Sequence, residues 1–332
     1  MKRRDLLKSA FGLSAGLVGM TALKPLYAIT DDMVFKADPM FDVTPTKVTD
    51  RCYYFLAKDS EPSPANKAFF NNPGFIITSQ GVVVVDTGSS VQIGEMVIRQ
   101  IKKITDKPIT TVINTHYHGD HFLGNHAFVA NNPKVDIYAH QATIDNIKNG
   151  GGEFWFGFMQ RNSNDAISGT VIAPPNKSAK NGDVLTFGDT TIKIHHFAKA
   201  HTECDLLVEV VEDRTLFLGD VAMRRVANMA DGSFPGTIET MEKAKALNCE
   251  NFILGHGPHD GVAICNDMQT FFENIYLSAL EYYDEGLSDF EMKPLIMEKP
   301  FMKNVASQWP GYDSMVGNFI SIAVTEVEAN MF

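Results

Sequence analysis

The stretch Ile113-Asn114-Thr115-His116-Tyr117-His118-Gly119-Asp120-His121-Phe122-Leu123-Gly124-Asn125 sets the tightest limit on what this chain can fold into. Three histidines and one aspartate fall within six positions, after the β-branched run Ile109 to Ile113 and before an apolar segment of helical spacing. The pattern predicts a strand, a ligand loop and a helix. Zinc and similar divalent ions take neutral imidazole nitrogens and carboxylate oxygens, and a loop leaving a rigid strand aims several of them at one point. A merely histidine-rich surface loop would need no further ligands elsewhere, and this chain supplies them.

Three later positions share that context, each where a predicted strand gives way to a loop. His201 follows the strand ending at Phe197, Asp220 follows Thr215 to Leu218, and His256 follows Phe252 to Leu254 inside Gly255-His256-Gly257. Each alone would be weak, because a lone histidine is usually a hydrogen-bonded core or surface residue. Together with the opening loop and Asp86-Thr87-Gly88, they resemble, in order, the ligand series of the metallo-β-lactamase superfamily from about residue 50 to residue 260.

That resemblance implies an α/β fold, an αββα four-layer sandwich with the ligands on loops at one edge. It implies that His116, His118 and His201 hold one metal, that Asp120, His121 and His256 hold a second, and that Asp220 bridges both. Two divalent ions are therefore expected, zinc first, with iron or manganese as alternatives. Two ions sharing a water lower its pKa until hydroxide is available near neutral pH. The implied activity is a binuclear metallohydrolase attacking an ester, thioester, lactone or amide, with Asp120 orienting the nucleophile or moving a proton. An aspartate at position 220, where many true β-lactamases carry cysteine or serine, counts against a dedicated antibiotic-destroying enzyme. An iron-dependent sulfur or redox oxidoreductase on the same fold, and a non-catalytic metal-binding accessory protein of a redox relay, are the competing readings.

The N-terminus reads as an export signal. Lys2-Arg3-Arg4-Asp5-Leu6-Leu7-Lys8 resembles a twin-arginine signal, the apolar run Ser9 to Ala22 is too short and small-residue-rich for a permanent span, and cleavage is expected near Ala28. With the exported context, the ligand loop and Phe217-Leu218-Gly219-Asp220 look most like the SoxH-like hydrolases found beside sulfur-oxidation and quinoprotein systems. A periplasmic location follows from the same signal. Removing residues 1–28 leaves 24 basic and 39 acidic residues, a formal charge of −15. Such a surface disfavours nucleic acid and anionic membranes and points to a small-molecule substrate. Cys52, Cys204, Cys249 and Cys265 show no zinc-type spacing, and their pairing is open.

Between these landmarks the texture alternates. Strands are expected at 51–57, 75–78, 82–85, 109–113 and 135–139, and helices at 91–104, 122–130 and 141–148, with Ser89 or Ser90 as a helix N-cap. Asp86, at a strand end, reads either as a structural acceptor or as a group supporting a ligand. Asn149 to Ile167, with Gly150-Gly151-Gly152 and Phe154, Trp155, Phe156 and Phe158, reads as a long loop that either closes over an apolar ligand or caps the core. The later β texture runs through 184–187, 190–197, 205–211 and 214–218; a helix at 237–247, a last strand at 251–254, a helix at 267–283 and an irregular then helical tail follow. The expected domain therefore covers 29–264, with a helical extension at 265–332 packed on it. Arg224 and Arg225 are candidate contacts for an anionic substrate group or partners in surface ion pairs; Trp155 and Phe156 are the candidate apolar contacts.

Overall fold

In β4, Gly81–Val85, the run Gly-Val-Val-Val-Val is buried at every position because it faces two layers. Period-two geometry sends Val82 and Val84 toward helices, and Val83 and Val85 toward a second sheet. The computed structural model describes residues 36–331, so the expected export segment lies outside the described residues. One sheet is seven-stranded, in sequence order β1 to β7: Thr46–Lys47, Cys52–Tyr54, Gly74–Thr78, Gly81–Val85, Ile109–Ile113, Asp136–His140 and Lys177–Ala179. Its first four strands pair antiparallel and the rest parallel. The other sheet has the order β12-β11-β10-β9-β8, from Val184–Thr186 (β8), Thr191–His195 (β9), Leu207–Val210 (β10), Thr215–Gly219 (β11) and Asn251–Leu254 (β12).

Helices α1 (Val91–Ile104), α2 (Gly119–Phe122), α3 (Asn125–Asn131), α4 (Gln141–Asn146) and α5 (Gly152–Asn162) follow the first sheet's strands. Ile93, Val97 and Ile101 of α1 pack with Ala127 and Phe128 of α3 against Val82, Val84 and Val112. The second sheet carries α6 (Phe234–Ala246) and α7 (Ala263–Asp284), followed by α8 (Asp289–Met297), α9 (Pro300–Asn304) and α10 (Tyr312–Met331). Between the sheets, Val83, Val85 and Ile113 meet Ile192, Val208 and Phe217. These layers form the αββα sandwich.

Two expectations need correction. The segment 149–167 is not a loop: Gly152–Asn162 is helical, joined to α4 by a π-helical turn at Ile147–Gly151 with Gly150 at φ +107°. The aromatic cluster concealed a helical face, since Trp155, Phe158 and Met159 stand three and four positions apart. The tail between the long helices is also more ordered than expected. A boundary at 264/265 cuts the first turn of α7, and the C-terminal helices share one core with the second sheet, through Phe271, Phe272, Phe319 and Ile320 against Leu216 and Leu218.

The last helix also closes the N-terminus of α6. Glu326 accepts hydrogen bonds from the Ser233 hydroxyl at 2.6 Å and the Phe234 amide at 2.8 Å, where a helix leaves amides unpaired and favours negative charge. Replacing it, as Glu326→Ala, is expected to cost about 1–3 kcal/mol. A guanidinium titration with an unchanged midpoint would contradict this.

Candidate metal centre

The seven candidate ligands leave strand ends that the two sheets bring to one edge. His116, His118, Asp120 and His121 follow β5, His201 follows β9, Asp220 follows β11, and His256 follows β12. All seven are buried. His116, His118, His201 and Asp220 present ligand atoms within 4.8 Å of one another, and so do Asp120, His121 and His256. Asp220 also touches the second group, with Oδ1 3.3 Å from His121 Nε2 and Oδ2 3.1 Å from His256 Nε2, while Oδ2 lies 3.7 Å from His201 Nε2. Its carboxylate stands between the two clusters.

Glycine makes that approach feasible. A Cβ on Gly255 would lie 2.1 Å from Asp220 Oδ1, and one on Gly219, at φ +51°, would lie 2.8 Å from Thr115 Oγ1. The Gly255 amide donates to the Gly219 carbonyl at 2.7 Å, locking the two ligand loops together. The opening loop is held by the His121 carbonyl, which accepts from the Thr87 amide at 2.9 Å and Asn114 Nδ2 at 2.9 Å.

Two of the imidazoles are aimed by their other nitrogen. His256 Nδ1 donates to the Phe70 carbonyl at 2.7 Å, and His121 Nδ1 lies 2.8 Å from Asp86 Oδ2. Asp86, in a left-handed backbone conformation at φ +58°, also accepts from the Thr115 amide at 2.8 Å and hydroxyl at 2.9 Å. It is both a structural acceptor and the support of a ligand, so the two readings of Asp86 merge. His118 turns the other way: its Nε2 faces Asp231 Oδ2 at 3.4 Å and its Nδ1 faces His201 Nε2 at 3.0 Å.

These residues fit divalent ions. Among the described residues, His116 Nε2, His121 Nε2 and Asp220 Oδ1 are buried polar atoms without a hydrogen-bond partner, an unfavourable state unless something binds them. The 3.0 Å nitrogen pair of His118 and His201 is close to the edge of a tetrahedron with 2.0–2.1 Å arms, on the order of 3.3 Å. Burial, aided by His121 and His118, holds His116 well below the usual imidazole value, and burial with His118 pushes His201 down to about 3. Both rings are thus neutral, as ligands must be. Burial also opposes charge on His121 and His256. On His121 the carboxylates of Asp220, Asp120 and Asp86 outweigh it; on His256 Asp220 and Asp120 do so against Arg225, and both rings are raised.

The centre opens into a cleft bordered by Trp155, Phe158, Phe70 and Arg225. Trp155 packs on His118 with ring centroids 4.5 Å apart, and a Cβ on Gly119 would meet the Trp155 Cβ at 2.8 Å. Phe156 instead packs into the cluster of Ala68, Phe122 and Met159, because its position on α5 turns it from the cleft; Phe158 takes the place expected of it. Arg225 borders the cleft and donates to the Ser60 carbonyl. Arg224 does not: it is engaged by Asp260 at 2.6 Å and Asp267 at 2.9 Å, an ion-pair role. His259 bonds the Tyr54 hydroxyl at 3.2 Å rather than a ligand. Asp231 went unread in the sequence, since it lies in no motif and 113 residues from His118. All four cysteines are buried and free.

Residues 66–256 match the family described as the metallo-β-lactamase superfamily. The chain belongs to that superfamily. A metallo-β-lactamase type 2 from a Bacillus species is 26% identical over 206 residues, 60% of this chain and 69% of that protein. A linear primary-alkylsulfatase from a Pseudomonas species is 40% identical over 72 residues, covering 20% of this chain and only 14% of that enzyme. Among solved structures, metallo-β-lactamases from Pontibacter korlensis (TM-score 0.57, 15% identity, 70% of this chain and 100% of that one) and Hirschia baltica (TM-score 0.55, 19% identity, 70% and 98%) share the fold. The superfamily match ends at His256, so α7 to α10 lie beyond it.

Two outcomes are expected of this superfamily member. Asp86→Asn should weaken metal binding about 10- to 100-fold while leaving the fold intact, measured by competition with a chromophoric chelator; unaltered affinity would contradict the support role. Because their raised pKa values keep protons on His121 and His256 to higher pH than on a free imidazole, metal uptake near neutrality should release protons and weaken as pH falls. Calorimetry in buffers of different ionisation heat checks this, and buffer-independent heats would contradict it.

Proposed function

We propose that this superfamily enzyme is an exported binuclear metallohydrolase cleaving an ester-like bond of a small molecule. The observation that carries the reading is Asp220, buried between two ligand clusters and facing histidines of both. His116, His118 and His201 would hold one ion, Asp120, His121 and His256 the other, and Asp220 would join them, with zinc matching the nitrogen-rich donor set. When bound, such a pair supplies an acidified water and a positive field for developing oxyanion charge.

The chain's own groups do the rest. Asp120 Oδ2 lies 3.4 Å from His121 Nε2 and 3.3 Å from His256 Nε2, and histidine charge outweighs burial to keep its carboxylate well below the usual range. Asp120 is thus ionised and available to orient the nucleophile and take its proton. Arg225, at the cleft wall, presents a guanidinium to an anionic substrate group. Trp155 packs on His118 and Phe158 on Trp155, giving the cleft an apolar wall on that side.

The electrophile is a carbonyl of an ester, thioester, lactone or amide; the short alkylsulfatase similarity adds a sulfate ester to the set to be assayed. Export rests on the Lys2-Arg3-Arg4 segment and a SoxH-like placement on the sequence resemblance. Among the described residues, no helix is long and apolar enough to cross a membrane.

The purified protein should hydrolyse at least one of a phenyl ester, a thioester, a lactone, nitrocefin or an alkyl sulfate, and lose that turnover to a chelator. Iron content with oxygen uptake and no hydrolysis would favour the oxidoreductase instead. Asp120→Asn, with metal content retained, should lower kcat at least about 100-fold, and undiminished turnover would remove Asp120 from the mechanism.

A further inference from the structure

One helix gives the metal cleft its apolar wall. On α5, Phe154 and Trp155 stand four and three positions before Phe158, so the three share one face of the helix. Trp155 meets Phe158 edge-on with ring centroids 5.6 Å apart and Phe154 edge-on at 5.4 Å, while its own ring lies 4.5 Å from that of His118. Phe158 and Trp155 border the cleft, whereas Phe154 is 61% exposed, so the row runs from the metal ligands out to solvent. Phe70, stacked on His256 at 5.4 Å, borders the cleft as well. Among the described residues, no Leu, Ile, Val or Met borders it.

We propose that the substrate carries a single planar aromatic ring next to its scissile bond, held against this row at the mouth of the cleft. The proposal rests on the hydrolase reading above and names a substrate class for that same site. The cleft encloses about 110 Å³, whereas a cavity that takes up one benzene ring measures about 150 Å³. The reacting bond already occupies part of that room, so a ring attached to it lies at the mouth, where Trp155 and Phe154 continue the wall. An aliphatic chain placed there would gain only its burial, whereas a planar ring adds the edge-to-face attraction that aromatic pairs have beyond burial. Gly119 fixes the row against the ligands. A Cβ there would lie 2.8 Å from Trp155 Cβ, so the loop that carries His118 and Asp120 leaves room for that side chain.

The test uses the zinc-loaded full chain and pairs of substrates whose rings match in size but differ in planarity. These are the phenylacetyl and cyclohexylacetyl forms of a methyl ester, an ethyl thioester and a methyl amide, together with benzyl and cyclohexylmethyl acetate. In at least one pair kcat/KM for the aromatic member should exceed that of the saturated one at least about threefold, whereas burial alone would favour the bulkier saturated ring. Trp155→Leu should bring that ratio to about unity, and Phe154→Ser, at an exposed position where the fold is not at stake, should lower it by about half. A saturated ring turned over equally well or better in every pair would overturn the aromatic row and leave the hydrolase standing, and so would a preference that both variants retain. Where none of these bonds is cleaved, the calorimetric affinity for phenylacetate against cyclohexylacetate reads the row by itself. A preference for phenylacetate that Trp155→Leu abolishes would support the row and count against the hydrolase, and equal affinities would overturn the row.

Discussion

The molecule is built around a carboxylate that ought not to be buried. Asp220 has a side chain 3% exposed in a position where an isolated charge would cost several kcal/mol. The cost is offset by His256 and His121, whose charge and hydrogen bonding hold Asp220 well below the usual carboxylate range against burial. The same environment leaves Asp220 Oδ1 and two imidazole nitrogens without hydrogen bonds. A site so arranged is incomplete as protein alone, and its donor set fits two metal ions. Gly255 is a consequence of that choice, because a Cβ there would lie 2.1 Å from Asp220 Oδ1, while Gly219 makes room for Thr115 beside it.

The scaffold carries this constraint outward. Ligands from both sheets meet because β5, β9, β11 and β12 end at one edge, and the Leu206 amide donates to the Thr115 carbonyl at 2.8 Å to tie the two sheets' loops. The His201 loop rests on α6: the Ser233 amide donates to the Ala200 carbonyl at 2.8 Å, and a Cβ on Gly236 would lie 1.7 Å from the Lys199 carbonyl. Glu326 of α10 then closes the α6 N-terminus. A continuous set of contacts thus runs from the last helix to a metal-facing histidine.

Much of this was legible in the sequence because strands and ligands obey short-range rules. The valine run at 82–85, the periodic α1 stripe and the His116 to His121 block each declare their structure locally, and Ser90 does cap α1. The clustered aromatics at 154–158 did not, since crowding masked the three- and four-residue spacing that places Trp155 and Phe158 on one face. Arg224 and Arg225 are neighbours in sequence with opposite fates, decided by Asp260 and Asp267, which no local pattern pairs with them. Asp231 beside His118 is a tertiary contact of the same kind.

The central claim is that the seven residues form one two-ion centre. Anomalous diffraction from crystals of the protein loaded with zinc, supported by elemental analysis, tests it most directly. Two ions per chain are predicted, roughly 3.5–4 Å apart, one beside His116, His118 and His201, the other beside Asp120, His121 and His256, with Asp220 between them. A single ion, or two ions that leave Asp220 untouched, would contradict the account.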